Sequence, residues 1–297
     1  MAKTTGFVKR KADMGPLAKA PKKIRAEYVF PYLAHAPMEP LNCTVHVTGQ
    51  GADAKANLWL GTQMPGFDAM AAAKVLGLPP QSVKVNVQMA GGGFGRRAVP
   101  TAFVMETLID EIARATQQDP VAYRLQLMAD KHPRHKAALQ LAVDQSGYGK
   151  RTLPKGHAWG VAVHESFDTV VAYVAEASVT KGVPKLHAVT AGVHCNLAVN
   201  PKTIEAQVQG AALMGLGTCL PGAAITLKDG VVEQSNFGDY TVARIADMPS
   251  IAVHIVPSAE PPTGMGEPGL PPLAPAFANA IAKLTGKTPR SLPFKLV

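Results

Sequence analysis

Apolar residues recur along the chain with two different spacings, which predict strands and helices respectively. Alternation of apolar and polar residues, or a short β-branched run, is typical of a strand, whereas apolar residues three or four positions apart are typical of a helix. The predicted strands are 28–33, 44–47, 56–60, 83–89, 170–179, 185–193 and 251–256, and Asp229–Gly230 is predicted to join 224–227 to 231–234 as a hairpin. The predicted helices are 66–76, 101–115, 120–128, 136–146, 201–216 and 273–284.

The order of these elements predicts the fold class. Strands and helices are mixed without strict β–α–β alternation, so we expect an α+β fold with mixed sheets and packed helices rather than a doubly wound sheet. We expect a basic flexible arm over residues 1–26 and one α+β domain over 27–297, which could divide into lobes 27–150 and 151–297.

Composition and charge narrow the class of protein. Of 297 residues, 47% are hydrophobic and 17% charged, which indicates a globular protein with a large core. The net charge of +9 comes partly from the N-terminal arm, which could contact an anionic partner or be a solvated tail. Because aromatic residues do not alternate with its basic residues, we expect no nucleic-acid binding. The chain shows neither an apolar signal core nor an 18-residue uncharged apolar run, so we expect a cytoplasmic protein without a membrane span.

The cysteines limit the metal chemistry of the chain. Cys43, Cys195 and Cys219 are far apart and form no C-x-x-C pair. We therefore expect neither a structural zinc site nor an iron–sulfur cluster of the chain's own, and a reducing compartment.

The loop at residues 261–272 contains one carboxylate, Glu267, among glycines and prolines that allow neither helix nor strand to persist. A helix is predicted directly after it, and backbone N–H groups at a helix N-terminus favour an anion. Glu267 is therefore a candidate catalytic carboxylate. The alternative is a structural turn in which Glu267 caps the helix.

A glycine run at residues 91–95 follows a predicted strand and precedes Arg96 and Arg97. Glycines allow backbone N–H groups to approach an oxyanion closely, and the arginines could pair with phosphates. The run fits neither G-x-G-x-x-G nor a Walker loop, and a plain tight turn is the alternative.

Four other polar residues have both a functional and a structural interpretation. Gln63 lies between a strand end and a helix start, where ligand contacts are frequent, but it could also cap the helix. Gln207 lies on an apolar helix, where its amide would need a buried partner unless it faces solvent. His35 and Glu39 could ligate a metal, but the prolines beside them exclude a helix and favour structural hydrogen bonds.

Several motifs together resemble a known family. They are YLAHAPMEP at 32–40, GTQ at 61–63, GGGFGRR at 91–97, NP at 200–201, VHIVPS at 253–258, PPTG at 261–264 and GEPG at 266–269. In order and rough spacing they resemble the molybdenum hydroxylases of the xanthine oxidase/aldehyde oxidase family. The likeness is to the large, molybdopterin-binding subunit of isoquinoline 1-oxidoreductase-like enzymes, and it covers residues 27–297.

The resemblance implies an oxidoreductase that hydroxylates a small-molecule aldehyde or N-heterocycle with water as the oxygen source. Glu267 matches the family's catalytic base, which takes a proton so that the oxygen can attack an electron-poor carbon. The cofactor contacts implied are Gln63, Gly92, Gly93, Phe94, Gly95, Arg96 and Gln207. Molybdenum would be held by the dithiolene of molybdopterin, in the cytosine dinucleotide form, and electrons would pass to a [2Fe–2S] partner subunit.

The chain departs from the family in one long segment. Family members have additional residues between the glycine run and the helix that here begins near Thr101, whereas Val99–Pro100 joins the two almost directly. The chain thus resembles a contracted or fragmentary member. The alternative function is a catalytically inactive structural or assembly relative that retains the fold.

Overall fold

The computed structural model describes residues 15, 19–30, 43–49, 51–62, 65–88 and 98–295. The strands, β1 to β9, are Thr44–Thr48, Lys55–Gly61, Val83–Gln88, His157–Ser166, Thr169–Thr180, Val183–His194, Leu227–Lys228, Val231–Val232 and Ser250–Ile255. The helices, α1 to α6, are Pro65–Leu76, Ala98–Ala115, Pro120–Met128, Pro133–Ser146, Pro201–Gly217 and Leu273–Thr285. In these ranges, no helix is long and apolar enough to cross a lipid bilayer.

The first sheet has the order β1-β2-β3. β1 and β2 pair antiparallel, β2 and β3 pair parallel, and α1 makes the connection between the parallel strands. Ala56, Leu58, Ala73 and Val83 form a small core between this sheet and α1. This unit therefore has a core of its own.

The second sheet has the order β4-β5-β6-β9, in which β4, β5 and β6 are antiparallel and β9 is parallel to β6. One face packs against α5 and α6 and the other against α3 and α4. The first nine residues of β5 are all buried. Coverage of both faces explains this continuous buried run, because in a strand with one solvated face buried and exposed residues would alternate.

Two glycines bring helices into direct contact with the second sheet. A Cβ at Gly160 of β4 would lie 2.0 Å from the Ala276 carbonyl oxygen of α6. A Cβ at Gly192 of β6 would lie 2.0 Å from the Ala138 carbonyl oxygen of α4, on the opposite face. Since no side chain can occupy these gaps, each glycine fixes the distance of one helix from the sheet.

A buried ion network joins α2, α3 and β4. The Arg124 side chain, 1% exposed, donates to Glu106 Oε2 at 2.9 Å and to Asp110 Oδ1 at 3.3 Å. Glu106 Oε2 also accepts the Val163 N–H of β4 at 3.0 Å. Burial alone would lower the pKa of Arg124, but the two carboxylates outweigh it and raise the pKa. The charges are thus paired and hydrogen-bonded, as buried charges require.

The α+β prediction is confirmed, and most predicted elements lie within three residues of the observed ones. Local signals account for this agreement. Asp119 accepts the Val121 and Ala122 N–H groups at the start of α3, and Asn200 accepts the Thr203 N–H at the start of α5. Both helices also have proline at their first position, which suits the fixed φ of that residue.

One observed strand was not predicted, and two predicted elements differ from the structure. The sequence pattern does not predict β4, because Gly160 and the polar pair His164–Glu165 interrupt its apolar run; pairing with β5 along all ten residues creates the strand. The hairpin at 224–234 contains only two residues in each strand. In the predicted strand 28–33, Val29 forms an isolated bridge with Ser291, and residues 31–33 lie outside the described ranges.

Part of the predicted basic arm contacts the folded chain. Lys22 Nζ donates to the Ala115 carbonyl at the end of α2, at 3.0 Å, where a cation complements the helix dipole. The division into residues 1–26 and 27–297, with lobes 27–150 and 151–297, stays a prediction.

We predict that Gly160→Ala destabilises the protein by about 1–3 kcal/mol or more, because the new methyl group overlaps the α6 backbone. Urea denaturation measures the free energy of unfolding. Gly210→Ala in α5 is the matched control: its Cβ meets no atom within 4 Å, so alanine should stabilise the helix by about 0.5–1 kcal/mol. Equal destabilisation by both substitutions would contradict the close-contact explanation.

Candidate functional site

The loop between β9 and α6 contains Glu267, and its first residues are bonded to the segment after β6. Three hydrogen bonds make this connection: Leu197 N–H to Glu260 O, 3.0 Å; Asn196 Nδ2 to Pro261 O, 3.0 Å; and Thr263 N–H to Cys195 O, 3.2 Å. The loop therefore leaves the sheet in a defined direction, although it has no regular secondary structure.

The turn between β4 and β5 anchors the loop at a second point. The Gly264 N–H donates to the Phe167 carbonyl at 3.2 Å, and the hydroxyl groups of Thr169 and Thr263 are 2.6 Å apart. Gly264 must lack a side chain, since a Cβ would lie 2.9 Å from Phe167 Cβ. Phe167 and Asp168 both have positive φ, at 52° and 58°, as in the tight turns that suit twisted hairpins.

Arg134, at the start of α4, holds this turn. Its Nη2 donates to the carbonyl groups of Asp168 and His194, the latter at 3.2 Å, and its Nε approaches His194 Nδ1 at 3.4 Å. Burial first, and then the Arg134 charge, lower the pKa of His194. A neutral His194 can therefore accept the Arg134 hydrogen bond.

A third anchor lies next to the candidate base. The Leu270 N–H donates to the Glu267 carbonyl at 2.9 Å, which closes a turn with Pro268 at its second position. The hydroxyl of Tyr173, fully buried in β5, donates to the Gly269 carbonyl at 2.8 Å. Burial raises the pKa of Tyr173, so this donor stays protonated.

Glu267 itself is half-buried, and α6 begins six residues later. The N-cap position of α6 belongs to Pro272, which has no side-chain acceptor. Glu267 therefore does not occupy the N-cap position of this helix, and the choice between a catalytic and a structural role stays a prediction.

The structure brings Gln207 to the same loop. Gln207 is exposed on α5, in agreement with the solvent-facing interpretation, and its Nε2 donates to the Gly266 carbonyl at 3.4 Å. Gly266 directly precedes Glu267. A Cβ at Gly266 would meet only Gln207 Nε2, at 3.9 Å, so the space before this backbone is otherwise open. An amide and a carboxylate thus flank an accessible stretch of main chain.

The remaining predicted contacts lie outside the described residues: Gln63, Gly92, Gly93, Phe94, Gly95 and Arg96, together with His35 and Glu39. Their roles stay predictions. Among the residues that the structure does describe, no group of three His, Cys, Asp or Glu side chains is arranged to hold a metal ion.

Sequence reasoning missed Arg134 and Tyr173. The run at 131–135, in which lysine, arginine and two histidines surround one proline, was a usable signal of a polar cluster at a helix start. The hydroxyl of Tyr173 within the apolar run 170–175 was another, because a buried tyrosine normally finds a hydrogen-bond partner.

Comparison with known proteins identifies relatives of this chain. Two family models, both described as "Molybdopterin cofactor-binding domain", match residues 5–102 and 71–249. The second match alone covers more than half of the chain.

Three relatives show which kinds of protein this chain is similar to. The beta subunit of isoquinoline 1-oxidoreductase from Brevundimonas diminuta is 32% identical over 197 residues, which cover 65% of this chain and 25% of the relative. Membrane-bound aldehyde dehydrogenase (pyrroloquinoline-quinone) of Gluconacetobacter polyoxogenes is 30% identical over 215 residues, which cover 66% of this chain and 28% of the relative. A nicotinate dehydrogenase subunit of Pseudomonas putida is 29% identical over 218 residues, which cover 67% of this chain and 18% of the relative. The chain spans about a quarter of these relatives' length.

We predict that Thr169→Val loosens the loop, because it removes the hydroxyl that contacts Thr263. The expected loss of stability is about 1 kcal/mol, and hydrogen exchange at the Gly264 and Leu270 amides should accelerate. Thr116→Val at the exposed end of α2 is the control and should leave both amides unchanged. Unaltered exchange in Thr169→Val would show that this contact does not anchor the loop.

A second prediction concerns pH. A histidine whose pKa is lower in the folded state binds fewer protons than in the unfolded chain, so the protein loses stability as the pH falls below the ordinary value of 6.5. Protonation of His194 Nδ1 also removes the lone pair that accepts the hydrogen bond from Arg134 Nε. Below about pH 6.5, His194→Gln should reduce the slope of unfolding free energy against pH, by at most about 1.4 kcal/mol per pH unit. Identical slopes in both proteins would refute this assignment.

Proposed function

Because the chain belongs to the molybdopterin cofactor-binding domain family of the molybdenum hydroxylases, we propose that it forms part of a molybdopterin site with Glu267 as catalytic base. The observation that supports this most directly is the bond from Gln207 Nε2 to the Gly266 carbonyl. This bond supports the proposal because it reaches the residue before Glu267, and the resemblance assigns Gln207 and Glu267, which are 60 positions apart in the sequence, to the same site.

The described residues fit this cofactor in their donor chemistry. A pterin requires hydrogen-bonding groups at an accessible surface, and Gln207 supplies an exposed amide beside the open face of Gly266. In the proposal Gln63, Gly92, Gly93, Phe94, Gly95 and Arg96 complete the site, with Arg96 toward the phosphates and Phe94 beside the substrate. When bound, the molybdenum centre would supply the redox chemistry by accepting two electrons as the substrate carbon gains oxygen from water.

The chain's own contribution is to hold a proton acceptor at a fixed point. Glu267 lies in a loop whose backbone is bonded to β5, to the β4–β5 turn and to the segment after β6. A carboxylate held in this way loses little conformational freedom when substrate arrives, which favours general-base catalysis.

The finer assignments rest on the resemblance and the relatives. We propose an aldehyde or N-heterocyclic substrate, since the relatives' names include isoquinoline, aldehyde and nicotinate. We also propose the cytosine dinucleotide form of the cofactor and a [2Fe–2S] partner subunit. Two of the relatives are named as single subunits, which agrees with such a division.

One observation favours the alternative of an inactive structural or assembly relative. β3 ends at Gln88 and α2 begins at Ala98, so only nine residues connect them. This connection is too short to contain the segment that enlarges the site at this point in other members of the family.

The first test is metal and pterin analysis of the full chain after co-expression with molybdopterin maturation factors. We expect molybdenum and pterin to co-purify in comparable amounts. Their absence would contradict the cofactor role and favour the inactive relative.

We further predict that Glu267→Gln lowers kcat for aldehyde oxidation about 10²–10⁴-fold, because the amide cannot accept the proton. Molybdenum and pterin content should be unchanged. Glu260→Gln is the matched control, since this exposed carboxylate lies on the same loop and its backbone carbonyl, rather than its side chain, accepts the bond from Leu197. Equal activity of the Glu267→Gln and Glu260→Gln proteins would exclude Glu267 as the base.

A further inference from the structure

The second sheet ends in two edge strands, β4 and β9. Side chains cover part of the β4 edge, since Asn279 donates to the Val161 carbonyl at 2.9 Å and Glu106 accepts the Val163 N–H at 3.0 Å. At β9, in contrast, the described part of the chain contains no group that is bonded to the outer edge. An uncovered edge is a surface on which a further strand can pair.

The outward-facing main-chain groups of β9 belong to every second residue. The Val256 N–H donates to the Val193 carbonyl of β6 at 2.8 Å. Successive residues of a strand direct their N–H and C=O groups to opposite sides, so the residues that direct theirs away from β6 are Ile251, Val253 and Ile255. Each of them presents one donor and one acceptor along the edge.

The same three residues carry the apolar side chains of the edge. They pack against the core between this sheet, α5 and α6, but they are only partly buried, whereas their β6 neighbours Val189, Ala191 and Val193 are fully buried. The strand contains no lysine, arginine or acidic residue, no proline and no bulge, which are the features that normally keep an edge from pairing. A further strand would therefore complete the burial of this apolar layer.

The sequence around β9 has nearly the same pattern in both directions. Pro249 and Pro257 lie four residues before and four residues after Val253, and Ile251 and Ile255 lie two residues before and after it. In an antiparallel pair of two copies centred on Val253, Ile251 lies opposite Ile255 of the other copy.

This register uses every outward-facing group. Its three residue pairs exchange two N–H···O bonds each, and the ladder ends at the prolines, which lack the N–H that a longer ladder would need. A register shifted by two residues would place a proline opposite an isoleucine and lose bonds. Equal spacing of the prolines about Val253 favours a second copy over an unrelated strand, because only self-pairing requires it.

We propose that β9 is a self-association surface, on which two copies of this chain pair antiparallel about a twofold axis at Val253. The sheets of the two copies become one continuous sheet of eight strands. Such a contact is closed, because both β9 edges are occupied once two copies have paired. The proposal does not rest on the cofactor role, since none of these residues belongs to the proposed molybdopterin site.

Sedimentation equilibrium of the full chain tests the association. We expect a particle of twice the 31.2 kDa chain mass, with a Kd of about 1–10 µM. A monomer at about 100 µM protein, or a particle larger than a dimer, would overturn the proposal.

Two proline variants test the direction of the main-chain groups. Val253→Pro removes an outward-facing N–H, which an edge strand tolerates, so the chain should stay folded and the Kd should rise at least about tenfold. Ala252→Pro removes an N–H directed at β6 and should lower the free energy of unfolding more than Val253→Pro does. A folded Val253→Pro protein that dimerises like the unchanged chain would contradict the β9 interface.

A lysine pair keeps the test decisive if Val253→Pro does not fold. Ala252 is exposed on the other face of the edge, and Ala252→Lys places two ammonium groups near the twofold axis, so dimerisation should weaken at least about tenfold. Ala122→Lys is the matched control at an exposed alanine of α3 and should leave the Kd unchanged. Equal dimerisation of the two lysine variants would overturn the proposal. None of these measurements requires molybdenum or pterin, so their failure would leave the proposed function untouched.

Discussion

The close packing of α6 against the second sheet is the constraint on which the rest of the structure depends. At Gly160 the helix and the strand approach so closely that a methyl group would overlap the helix backbone. Gly192 has the same role for α4 on the opposite face. With both helices at fixed distances, the first nine residues of β5 lie in a closed interior, and the apolar run from Val170 to Ala175 becomes favourable.

The position of α6 determines the path of the loop that precedes it. The loop has no regular structure, so its backbone groups must find partners elsewhere. They find them on β5, on the β4–β5 turn and on the segment after β6, and each partner is distant in the sequence. The main-chain bonds on both sides of Glu267 thereby fix its position in the loop. Such an arrangement suits a carboxylate that must meet a substrate at a defined point.

α6 also extends from the Glu267 loop to the edge of the second sheet. Its N-terminus follows the Glu267 loop, and Asn279 and Lys283 line a cavity beside β4. Asn279 donates to the Val161 carbonyl of the edge strand, and Glu106 accepts the Val163 N–H two residues further along. These side chains cover part of the strand edge that would otherwise present unpaired backbone groups. Arg124 neutralises Glu106 in turn, so covering this edge depends on the buried ion network.

The sequence by itself determined the elements whose signals are local. Asp119 with Pro120, and Asn200 with Pro201, mark helix starts within two positions, and the alternation at 83–88 marks a strand. The motifs taken together, including the one around Glu267, indicated the family and the candidate base. Only the tertiary structure revealed strand β4, the contact of Arg134 with His194, and the hydrogen bond from Tyr173 to the Gly269 carbonyl. Those contacts join residues 60 and 96 positions apart, and no periodicity or capping rule extends over such separations. They form because packed helices and paired strands bring distant backbone groups within hydrogen-bond distance.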